Sequence, residues 1–155
     1  MCYKYIGQIT KTIIDMKKTM IMMATALVVA LSSCGEKKVM DAKSLNGSWV
    51  VVELNGNAIQ PTEEAPYMDL NFEENRISGK AGCNNMFGAI QLSDSIASAI
   101  RFPQVATTMM ACPDMDVETE FLKALDNVRS VEGAKEGKVL FLNAEGKTLF
   151  VVENK

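Results

Sequence analysis

A chain of 155 residues that is 48% hydrophobic and 23% charged has the composition of one ordinary domain, not of a disordered, collagen-like or wholly membrane-embedded protein. It contains no histidine, which excludes Ser-His-Asp and Cys-His nucleophilic catalysis and the commonest zinc sites. Net charge is −3, and beyond Cys34 the chain holds 12 Lys+Arg against 18 Asp+Glu, a balance of −6 with no basic cluster, so nucleic acid is not an expected partner.

The chain opens on an address. Met16-Lys17-Lys18 is basic, Met20 to Leu31 is apolar, and Leu31-Ser32-Ser33-Cys34 closes with small residues and a cysteine. That order is the order of a secretory signal peptide. As a helix the apolar run spans about 18 Å at 1.5 Å per residue, short of a bilayer core of roughly 30 Å. The ending Leu31–Cys34 resembles the lipobox of bacterial lipoproteins. The resemblance implies that Cys34 is acylated and begins the mature chain. Two acyl chains are enough for stable anchoring, at about 0.8 kcal/mol per buried CH₂. Met16 is then the expected start, with residues 1–33 an upstream extension plus signal peptide. Residues 34–44 read as a lipidated, flexible tether, and residues 45–155 as the domain.

Within the domain, Ser48–Leu54 is rich in β-branched and aromatic residues and reads as a strand, ended by the hairpin-type turn Asn55-Gly56-Asn57. Trp49 reads as a core or rim anchor. Tyr67–Phe72 alternates with period two, placing Met68, Leu70 and Phe72 on one face. Arg76–Lys80 returns as the second arm. Then comes a stretch crowded with glycine and asparagine, Ser78 to Gly88, expected to form a structural corner; a ligand-contacting loop is the alternative. Its glycines admit positive φ or close backbone approach, and Asn84 and Asn85 tolerate left-handed geometry. The spacing fits neither the P-loop nor the Rossmann fingerprint.

Ala89–Leu92 and Ser98–Pro103 read as short strands, and Thr107–Cys112 follows. Val117–Val128 is the one helix, with Val117, Phe121, Ala124, Leu125 and Val128 on a single stripe. Asp114 or Asp116 is the expected cap, and Glu118 and Glu120 complement the helix dipole. Residues 129–133 start another strand, and Val139–Asn143 pairs with Thr148–Glu153. About seven or eight strands and one helix give an α+β class: an antiparallel, curled sheet or partial barrel, with Phe121 and Leu125 filling its concave face.

With Cys2 and Cys34 set aside, Cys83 and Cys112 remain. An exported domain meets an oxidising compartment, where a bridge between them would close a loop of about thirty residues and contribute roughly 3–4 kcal/mol. Two buried thiols are the alternative. Neither cysteine has the setting of a reactive thiol.

Gly82-Cys83-Asn84, Gly88, Thr108-x-Met110-Ala111-Cys112 and Glu120-Phe121-Leu122-x-Ala124-Leu125 are similar to the META domain family, which includes the heat-shock protein HslJ. Trp49 after Leu45-x-Gly47 and the closing hairpin fit as well. Met109 departs from it, since a basic residue is common there. The resemblance implies a β-rich fold with a packed helix, and bacterial envelope proteins, often lipoproteins, linked to heat-shock or drug stress. It brings no enzymatic activity, cofactor or metal.

The expected function is a non-enzymatic envelope lipoprotein, a single-copy domain anchored to the membrane and binding another envelope protein, with the outer membrane as the working location. A periplasmic inhibitor of a lysozyme-like hydrolase is the alternative: an acidic surface attracts a basic enzyme. A two-carboxylate enzyme would have to draw on Asp69, Glu73 and Glu74.

Overall fold

The computed structural model describes residues 38–63, 65–113 and 115–155. Twelve strands run in chain order: β1 (Lys38–Val39), β2 (Gly47–Leu54), β3 (Asn57–Ala58), β4 (Tyr67–Asn71), β5 (Arg76–Lys80), β6 (Asn85–Ala89), β7 (Gln91–Leu92), β8 (Ile100–Arg101), β9 (Ala106–Thr107), β10 (Ser130–Gly133), β11 (Val139–Leu142) and β12 (Thr148–Asn154). Among the described residues one α-helix, α1 (Asp116–Asp126), enters between β9 and β10. Ten strands form one sheet in the order β1-β10-β11-β12-β2-β4-β5-β6-β9, with β3 beside β2; β7 and β8 pair separately. Every pairing is antiparallel. The sheet is not closed: β1 and β9 are its two ends among the described residues.

The α+β reading therefore holds, with more strands than the seven or eight expected. The additional ones are short or poor in strand-forming residues. Asn85–Ala89, read as part of a corner, is a strand pairing along the whole of β5, from Lys80↔Asn85 to Arg76↔Ala89. Asn and Gly depress strand propensity, but a buried Met86 and cross-strand pairing override it. Neither Asn84 nor Asn85 is left-handed; the non-glycine residues with positive φ are Asn55, Asn75, Gln104 and Glu136. Asn55 at φ 51° and Gly56 at φ 85° do turn β2 back into β3, as a two-residue loop with positive φ at both positions requires.

The tether boundary also shifts. Lys38 and Val39 pair with Gly133 and Glu132 of β10. A 3₁₀ turn over Ala42–Leu45 is capped by the Asp41 side chain, and both Ala42 and Leu45 are buried. Leu45 also accepts the Trp49 indole N–H at 2.7 Å. Residues 38–44 thus belong to the folded domain.

Helix and sheet share one core. Phe121 meets Phe150 edge-on, with ring centroids 5.3 Å apart, and Phe150 stacks on Phe141 at 4.6 Å. These distances fall in the range where aromatic pairs add to area burial. Of the expected helical stripe, Phe121, Ala124, Leu125 and Val128 are buried; Val117 alone departs from it, 38% exposed, and in the first turn Glu118 takes the buried place at 5% exposure. Nor does an aspartate cap the helix as expected: Met115 is the N-cap, without a side-chain bond, and Asp116 is the first helical residue. Asp114 lies outside the described residues.

Candidate functional site

Asn84 is the centre of the glycine-rich stretch and is 2% exposed. A buried amide offers two acceptor and two donor positions, and leaving any unfilled is costly. All four are filled. Oδ1 accepts from Thr108 Oγ1 at 2.7 Å and from the Met110 N–H at 2.8 Å. Nδ2 donates to Glu118 Oε1 at 2.9 Å and to the Met110 carbonyl at 3.3 Å. The Asn84 backbone N–H takes the other carboxylate oxygen, Glu118 Oε2, at 2.7 Å. Asn85 N–H donates to Thr108 Oγ1 at 3.2 Å, and Thr108 N–H to the Asn85 carbonyl at 3.0 Å.

The glycines permit this closeness. Gly82 sits at φ +152°, and a Cβ there would lie 3.2 Å from Glu118 Cβ. Gly88 faces Val105, whose Cα would lie 3.0 Å from an added Cβ. Cys83 and Cys112 are brought to disulfide distance, with Cα atoms 6.4 Å apart. The residues Gly82, Cys83, Asn84, Thr108, Met110 and Cys112, singled out from sequence, thus converge with Glu118 into one clasp between β6, the 108–112 loop and the first turn of α1. Gly88 sets the packing next to it, and Ala111 lies exposed on the loop.

Sequence reasoning gave Glu118 only a role at the helix dipole. The missed signal is its spacing: it stands three and seven residues before Phe121 and Leu125, on the buried stripe. At the first turn its carboxylate also meets the positive end of the helix.

The clasp spends its polar groups internally and displays apolar ones. Met109 is 99% exposed, Met110 58%, and nearby on β6 Phe87 is 51% exposed. At the cysteine pair lies an open groove of about 440 Å³, lined among others by Cys83, Cys112, Pro113, Val117, Ile59 and Pro66.

The three carboxylates considered for catalysis are not at this clasp; they line a separate open cavity of about 470 Å³, with Ser48, Arg76 and Ser78. Asp69 lies on β4, opposite Ser48 and Ser78, and accepts the Ser48 hydroxyl. Glu73 and Glu74 sit in the turn before β5, at the far end of that strand from Gly82, and Glu74 pairs with exposed Arg76 at 3.5 Å. Among the described residues no group of three acidic, cysteine or histidine side chains is placed to hold a metal ion, and no helix is long and apolar enough to cross a membrane. Cys34 lies outside the described residues.

The chain is similar in fold to three solved structures. An NMR structure of a protein from Burkholderia xenovorans matches over 80% of this chain and 94% of that one, at 19% identity and a TM-score of 0.61. A second NMR structure matches over 74% and 94%, at 19% identity and a TM-score of 0.55. The crystal structure of a DUF4847 family protein from Bacteroides vulgatus matches over 71% and 93%, at 16% identity and a TM-score of 0.51. At these identities the likeness speaks for the fold alone. No curated protein matches. The META domain model matches residues 42–155, which takes in the clasp, the helix and all of the sheet except β1, and the chain therefore belongs to the META domain family.

Proposed function

We propose that this META domain protein is a non-enzymatic lipoprotein of the bacterial envelope, anchored through Cys34. It serves envelope stress or maintenance by holding another envelope component against the 108–113 loop. One observation carries the reading. The motif residues bond one another and leave Met109 fully out in solvent, 99% exposed. A clasp built to fix a loop whose tip is apolar suits contact with a partner better than chemistry on a substrate. The lipobox-like run Leu31–Cys34 supports the anchor.

The test places a photo-reactive amino acid at Met109 in living cells, with the same residue at exposed Lys123 of α1 as control. A discrete adduct from position 109 and none from 123 is the expected result. No adduct from position 109 overturns the partner reading. The balance of −6 beyond Cys34 favours a basic partner, which keeps an inhibitor of a lysozyme-like hydrolase as the second reading. Absence of inhibition across a lysozyme panel at micromolar protein ends it.

A further inference from the structure

We infer that the β1 edge of the sheet is a membrane-facing surface, held flat against anionic phospholipid headgroups by a leash only a few residues long. The inference rests on the anchor reading at Cys34. Its observation is the position of Lys38 and Val39, paired with β10 at one end of the sheet. If Cys34 carries the lipid, four residue steps separate it from Lys38. A fully extended chain covers at most about 3.6 Å per residue, so the lipid attachment lies within roughly 14 Å of the β1 edge. A domain on so short a leash cannot tumble freely above the bilayer.

Charge says that this edge can meet the surface. The chain beyond Cys34 carries a balance of −6, so most of the domain is repelled by an anionic leaflet. At this edge, lysines gather instead. Lys38 is exposed on β1; Lys135 and Lys138 stand in the turn directly after its partner Gly133, where the Ala134 N–H donates to the Lys138 carbonyl at 2.8 Å. Glu136 is the acid in that turn, and Glu132, half-buried, stands opposite Val39. Val39 is 78% exposed and adds an apolar contact at headgroup depth. A free strand end in solution also invites edge-to-edge pairing, and lysines on it discourage that; a bilayer laid against it covers it outright.

The full-length lipoprotein is reconstituted in vesicles of phosphatidylethanolamine and phosphatidylglycerol, and its lysines are modified with a water-soluble amine reagent. Rates read by mass spectrometry are compared with those in neutral detergent. Lys38, Lys135 and Lys138 are expected to react at least threefold more slowly on vesicles. Lys147 should be unchanged: it stands exposed in the turn between β11 and β12, at the end of those strands away from Val139 and Gly133. Uniform rates, or protection centred on Lys147, overturn the inference. The mass of the N-terminal peptide from the same digest reports acylation. An acylated Cys34 with uniform rates sinks the orientation alone; an unacylated Cys34 sinks the anchor and the orientation with it.

Discussion

Asn84 and Glu118 bond each other twice, the carboxylate taking the backbone N–H at 2.7 Å and the side-chain amide at 2.9 Å. Separate deletions overstate what such a pair is worth, because removing either partner strands the other in a buried site. Asn84→Ala removes the side-chain donor to Glu118 Oε1, leaving the buried carboxylate only the backbone N–H, and opens the loop at Thr108 and Met110. It should cost about 2–4 kcal/mol, and Glu118→Ala a similar amount. The double variant should cost less than the sum, with a coupling of about 1 kcal/mol or more. Urea unfolding of the four proteins gives these numbers, and simple additivity would rule out the clasp.

The cysteine pair is placed to close the same loop covalently, with Cα atoms 6.4 Å apart. With a sequence separation of 29, the entropy of loop closure gives a bridge worth roughly 3–4 kcal/mol. Thiol titration in denaturant should find no reaction from Cys83 or Cys112 until reductant is added, and Cys112→Ser should lower the urea midpoint accordingly. Titration of both thiols without reductant would refute the bridge.

Gly82→Ala probes how closely the helix is drawn in. The substitution imposes a disfavoured φ of +152° and sets a methyl 3.2 Å from Glu118 Cβ. A loss of about 1–3 kcal/mol is expected from strain of this kind. Stability equal to the parent would mean that the helix start yields easily.

Ala42→Asp separates the two views of where the domain begins. In a solvated tether the change would have no effect. Buried at 0% exposure, with its N–H on the Ala97 carbonyl at 2.9 Å, Ala42 has no room or partner for a carboxylate, and the change should instead cost about 2–4 kcal/mol in urea unfolding. By contrast, Met109→Ala touches nothing packed and should change the unfolding midpoint by less than about 0.5 kcal/mol, while abolishing partner capture.

What could be read from the residues alone follows the range of the interactions. The Asn55-Gly56 turn is local chemistry, and it was legible because few residues accept its backbone angles. Phe121 and Leu125 announced a helix face through spacing within one element. Asn85–Ala89 was illegible as a strand, because its pairing with β5 and β9 comes from partners that its own composition does not name. Glu118 looked like any acid at a helix start; only the arrival of Asn84, 34 positions earlier, makes it a buried partner. The motif Gly82-Cys83-Asn84 with Thr108 to Cys112 was visible as a pattern, and its meaning as a hydrogen-bonded closure was not.

The place of β12 has a consequence for biogenesis. This strand, which follows the other described strands in the chain, is wedged between β11 and β2 at the middle of the sheet, and the Lys155 N–H reaches back to the Ser48 carbonyl at 3.0 Å. Until residues 148–155 emerge, the ladders to β11 and β2 that make up the middle of the sheet cannot form. A nascent polypeptide arrested before Thr148 should therefore remain protease-sensitive throughout, and whatever machine receives it handles a thread rather than a finished object.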